Sequence, residues 1–134
     1  MIATTIEQSK HLLDLGLDPK TSDMVWVRYA AGGYRLEVLH RELFERIMET
    51  DIATWSITAL LEVMPSNIGD YDLYITKHKY VDGGHGYNVE YNRGFTISVL
   101  HKGTSRDLVT AAYEMVCWLL EQGMIKKGDN DDKG

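Results

Sequence analysis

The chain has 134 residues, a net charge of −6, 44% apolar and 25% charged residues, and a single cysteine. That length suits one domain with a core of its own, and the composition excludes a wholly disordered chain. One cysteine excludes an intrachain disulfide and a Cys-rich zinc site.

The longest unbroken apolar run, Met115-Val116-Cys117-Trp118-Leu119-Leu120, is far short of the roughly 20 residues a bilayer requires. The N-terminus turns polar by Thr4 with no charged n-region and apolar stretch of a secretory signal. A cytoplasmic address is the resulting expectation.

Residues 4–15 read as a helix. Thr4 and Thr5 are candidate N-caps, Glu7 and Gln8 stand at capping-box spacing, and Ile6 and Leu13 share a face. Gly16 and Asp18-Pro19 stop it. Residues 24–29 and 34–39 read as two strands of a hairpin around Ala31-Gly32-Gly33. Residues 40–50 have Leu43, Phe44, Ile47 and Met48 at helical spacing. Residues 55–64 form a stronger helical pattern, with Thr54 as the expected cap and Pro65 as the stop. Residues 66–70 read as a loop.

A three-stranded meander follows, over residues 71–81, 87–91 and 95–100. In its first strand Leu73 and Ile75 fall on one face, and Tyr74, Thr76, His78 and Tyr80 on the other. Asp82-Gly83-Gly84-His85-Gly86 and Asn92-Arg93-Gly94 read as turns, and His101-Lys102-Gly103 as a lead into the last helix. That helix, residues 105–122, carries a broad stripe of Leu108, Val109, Ala112, Met115, Val116 and Leu119, with Thr104 or Ser105 as cap. Leu60, Leu61, Leu108, Met115 and Leu119 are the expected core.

The order of elements predicts an α+β domain. Its antiparallel sheet is a hairpin plus a three-stranded meander, with helices packed on it and a long C-terminal helix. Residues 1–125 form the domain, and residues 126–134 a polar tail expected to be disordered.

Charge is uneven. Residues 76–106 hold Lys77, Lys79, Arg93, Lys102 and Arg106 against Asp82 and Glu90, a net +3 that leaves −9 on the rest. Lys77, His78, Lys79, His85, Arg93 and His101 are therefore the candidate ligand-binding residues. Interleaved with Tyr74, Tyr80, Tyr87 and Tyr91, such cations can hold phosphates while the rings stack bases. Cross-strand aromatic pairing and solvated edge lysines account for the same residues without a ligand.

The glycines at 83, 84 and 86 precede a strand, not a helix, so they lack the context of a phosphate cradle. His78, His85 and His101 have no metal-ligand spacing. Cys117 lies one turn from Glu114 and Glu121, which disfavours a thiolate. No motif calls for a cofactor or a metal, and no residue is assigned a catalytic role. Trp118 falls beside the polar face of the last helix and is the candidate interface residue, for a partner or for a two-fold homodimer.

Three stretches carry a resemblance: Thr5-Ile6-Glu7-Gln8-Ser9-Lys10 running to Leu15-Gly16-Leu17-Asp18-Pro19; Trp55-Ser56-Ile57-Thr58-Ala59-Leu60-Leu61-Glu62-Val63-Met64-Pro65; and Ala111-Ala112-Tyr113-Glu114-Met115-Val116-Cys117-Trp118-Leu119-Leu120. Together they resemble a family of small uncharacterised proteins of gut-bacterial phages and integrated mobile elements. That family has proline before the helix beginning near Trp55, where this chain has Ala53-Thr54. The resemblance implies a mobile-element setting and no activity or catalytic residue. The leading expectation is a non-enzymatic binding or accessory domain with a protein partner. The alternative is nucleic-acid or phosphorylated-ligand binding through residues 76–106, and an enzyme with a histidine acid or base comes third.

Overall fold

The computed structural model describes residues 1–39, 51–94 and 98–128. Helix α1 (Ile6–Asp14) starts where Thr5 accepts from the Gln8 N–H and the Gln8 side chain accepts from the Thr5 N–H. This reciprocal cap satisfies two donors that a helix start otherwise leaves open. The buried positions of α1 are Ser9 and Leu12, while Ile6 and Leu13 are half-buried. The inward face is thus rotated from the one that the Ile6–Leu13 spacing predicts. Gly16, at φ +101°, ends the helix in a conformation that favours glycine.

β1 (Met24–Arg28) and β2 (Tyr34–Val38) form the expected hairpin. β3 (Ile52–Thr54) then pairs with the other side of β1, Met24 opposite Thr54, and completes a three-stranded antiparallel sheet. The helix expected over residues 40–50 lies outside the described residues.

Thr54 belongs to β3 and does not cap the next helix. That helix, α2 (Ile57–Val63), is capped by Ser56, whose hydroxyl accepts from the Ala59 N–H. Asp23 in turn accepts from both the N–H and the hydroxyl of Ser56, fixing the cap to the start of the hairpin. Trp55, between strand and helix, is fully buried and donates its indole N–H to Thr21 at 2.9 Å.

β4 (Asn67–Ile68), β5 (Tyr71–Lys79), β6 (His85–Asn92) and β7 (Val99–Ser105) form a second antiparallel sheet in that order. The hairpin and the meander are thus divided between two sheets. β4 replaces part of the expected loop. β7 corrects two readings: His101, Lys102 and Gly103 are strand, and Thr104 and Ser105 do not cap the last helix. Of the third strand expected over residues 95–100, residues 95–97 lie outside the described residues, and Val99 and Leu100 open β7.

The physical reason for the correction is at Gly103. A Cβ there would stand 2.4 Å from the Ala111 carbonyl oxygen, so this glycine permits strand and helix to touch. Helix α3 (Leu108–Glu121) begins after Asp107, whose carboxylate accepts from the Thr110 N–H and hydroxyl, each at 2.9 Å.

α3 joins one core with α1, α2 and the second sheet. Leu60, Met115 and Leu119 are fully buried in it, beside Trp55, Val89, Tyr91 and Val116. Leu61 and Leu108, expected in the centre, are only partly buried at its margin. Of the expected tail, residues 126–128 lie close to the rest of the chain: the Gly128 N–H donates to Gly16 at 2.8 Å. The tail from residue 129 onward lies outside the described residues. No helix among the described residues is long and apolar enough to cross a membrane.

Candidate functional site

Register decides which side of the second sheet each candidate residue occupies. Leu73 opposes Tyr91, Ile75 opposes Val89 and Lys77 opposes Tyr87, and across β6 these meet His101, Gly103 and Ser105. That is the face against α3. The opposite face carries the rows Tyr74–Glu90–Lys102 and Thr76–Asn88–Thr104, with His78 over Gly86 beyond them.

The candidate cations and histidines are therefore separated. Lys77, Lys79, His85 and His101 share the helix-side parity, whereas His78 and Lys102 project from the other side. His85 and Tyr91, the residue opposite His101, lie six positions apart along β6, about 20 Å of strand. His101 stacks on Trp118 of α3, ring centroids 4.4 Å apart. His78 meets the edge of Tyr80 at 4.8 Å. The three histidines do not converge, and among the described residues no group of three or more His, Cys, Asp or Glu could hold a metal ion.

Arg93 pairs with Asp70 at 3.5 Å and lies over the Tyr71 ring. Lys77 lies over Tyr87, 5.8 Å from the ring centre. Lys79, opposite His85, is exposed. Trp118 is partly buried by its stack on His101 and joins the margin of the core.

The glycine-rich turn is tied down by a residue the sequence did not single out. Arg106 donates to Asp82 at 2.9 Å and lies 4.2 Å over the Tyr80 ring. Tyr80 lies across Gly86, and Arg106 across Gly84, at positions where any Cβ would collide with them. The Gly84 N–H, then Arg106, hold the Asp82 carboxyl below its ordinary range. The tip is thus a fixed corner joining the β5–β6 hairpin to the approach to α3. Its signal in the sequence was the pair of glycines opposite a tyrosine and an arginine, legible only once the register is known.

The open face is the arrangement that remains. Tyr74, His78 and Tyr80 are partly exposed, and Thr76, Lys102 and Thr104 exposed. Asn88 accepts from the Thr104 hydroxyl at 2.9 Å, and Asn92 donates to Glu90 at 3.3 Å. Two tyrosines, six positions and about 20 Å of extended chain apart, thus share this face with hydroxyls, amides and Lys102. Such a surface can stack planar groups and hydrogen-bond a chain laid across it. No protein-family model matches the chain, and neither a curated protein nor a solved structure matches it.

Proposed function

We propose that the chain is a non-enzymatic binding or accessory domain of a phage or mobile element, acting in the cytoplasm. Its contact surface is the part of the four-stranded sheet not occupied by α3. One observation carries the reading: α3 takes one face of the sheet, and the other presents Tyr74, Thr76, Tyr80, Lys102 and Thr104 to solvent. Tyrosines with an apolar body and a polar tip are suited to a partly wet interface.

The test is affinity capture from lysate of the host cell, with wild-type protein and with Tyr74→Ala/Lys102→Glu. Wild type is expected to retain a discrete partner that the variant loses while its circular dichroism is unchanged. Capture of nothing above background, or of the same set by both, overturns the reading.

A second reading has its own support. Tyr74, Tyr80 and Lys102 share the open face, which is the combination that single-stranded nucleic acid uses. Glu90, between Tyr74 and Lys102, opposes it, and so does the placement of Lys77 and Lys79 on the other parity. Oligonucleotide titration at low salt separates the readings, because phosphate contacts give affinity that falls with salt.

A further inference from the structure

We infer that the outer edge of β5 takes an extended, acidic segment of a partner protein as an added strand of the four-stranded sheet. The inference rests on the reading of that sheet as the contact surface. β5 spans nine residues, yet β4 pairs only with its beginning, Asn67 with Asp72 and Ile68 with Tyr71.

The directions of the backbone groups beyond that point follow from two hydrogen bonds. The Tyr80 N–H donates across the hairpin to Gly84 at 2.6 Å, so even-numbered residues face β6. The Leu73 N–H donates the other way, to Ser66 at 3.0 Å. Backbone groups alternate sides along a strand. Ile75, Lys77 and Lys79 therefore direct their N–H and C=O groups outward, where the sheet has no further strand among the described residues. Ile75 is 42% exposed, and Thr76, Lys77 and Lys79 are exposed, so the edge is open to solvent. Three donors and three acceptors in line, about 6.6 Å between successive residues, are a template for strand addition.

Charge selects the occupant. Lys77 and Lys79 have no carboxylate within ion-pair distance among the described residues. A second copy pairing through its own β5 would set lysines near lysines, which is unfavourable. An extended segment with Asp or Glu at alternating positions sets a carboxylate opposite each lysine, and an apolar residue two positions further covers Ile75. The −9 carried by the rest of the chain repels such a segment elsewhere and steers it to this edge.

The probe is a displayed library of random nine-residue peptides, selected on the full chain. Enriched peptides are expected to carry acidic residues at alternating positions. The best of them should lose affinity on the order of tenfold against Lys77→Glu/Lys79→Glu. It should lose binding when N-methylated at alternate amides, and should slow hydrogen exchange at Ile75, Lys77 and Lys79. No enrichment, enrichment without acidic alternation, or binding indifferent to the charge reversal or to N-methylation overturns the inference. The lysate partner separates this from the broader reading. Its loss with Tyr74→Ala/Lys102→Glu but retention by Lys77→Glu/Lys79→Glu overturns the edge alone, and its retention by both variants overturns both.

Discussion

The Trp118 indole lies flat on the His101 imidazole, the two planes 2° from parallel and the ring centres 4.4 Å apart. The contact joins the middle of β7 to the last turn of α3. Burial holds the imidazole below its ordinary value of 6.5, with Glu114 and Glu121 pulling weakly the other way.

A pH dependence follows from that shift. The unfolded chain takes up the His101 proton more readily than the folded one. The stability from the neutral stack is therefore complete above about pH 6.5 and is lost as pH falls through that value to the folded pKa. Melting temperatures between pH 7.5 and 5.5 should fall more steeply for wild type than for His101→Phe. A His101 resonance that titrates at or above 6.5 in the folded protein would sink this account.

Gly103 and Gly86 separate a rigid contact from a yielding one. At Gly103 the new methyl meets the Ala111 carbonyl of the α3 backbone, and at Gly86 it meets the Tyr80 ring. A ring can swing aside and a helix cannot. Gly103→Ala should cost about 1–3 kcal/mol, as overpacking does, and Gly86→Ala less. Equal denaturation midpoints for the two variants would contradict the close approach of α3 to β7.

These glycines also mark where the sequence was legible and where it was not. The ends of α1 were readable, because Thr5, Gln8 and Gly16 act within one or two turns of each other. So was the alternation along β5. The cap of α2 was not: Ser56 is held by Asp23, 33 residues earlier, and only β1–β3 pairing brings them together. His101-Lys102-Gly103 reads as a lead into the last helix and not as strand, because its glycine serves the packing of a helix that comes later in the chain. The basic residues of 76–106 looked like one patch because they share a segment. Strand parity distributes them over two faces, and parity between strands depends on register, which neighbouring residues do not encode.

Cys117 faces the margin of the core, and burial pushes its thiol up to about 11. Tyr113 hydrogen-bonds to it and pulls the value down, while Glu121 and Glu114 push it up. The thiolate is the reactive form, so at pH 8 its population should be about 100-fold lower than for an ordinary thiol of pKa near 9. Alkylation of the folded protein should be slower than that of the denatured chain by roughly tenfold, because the scarcer thiolate of a higher-pKa thiol is also the stronger nucleophile. Equal rates would mean that Cys117 is exposed.

Tyr91, near the end of β6, is fully buried and donates its hydroxyl to the Pro65 carbonyl at 2.6 Å. The bond fastens the sheet to the residue that follows α2. Tyr91→Phe leaves that carbonyl without its donor and should cost about 1–3 kcal/mol, with little change in packing volume. Burial also raises the phenol to about 12, so the folded protein keeps its proton where the unfolded chain gives it up. The stability from neutral Tyr91 is complete below about pH 10 and is lost as pH rises through 10 toward 12. Tyr113, raised by burial as well, contributes in the same direction, so Tyr91→Phe should flatten the alkaline slope without abolishing it. Denaturant midpoints at pH 8 and pH 11 measure both effects. A variant as stable as wild type at pH 8, with the same loss at pH 11, would show that the hydroxyl is solvated and that β6 is not fastened to Pro65.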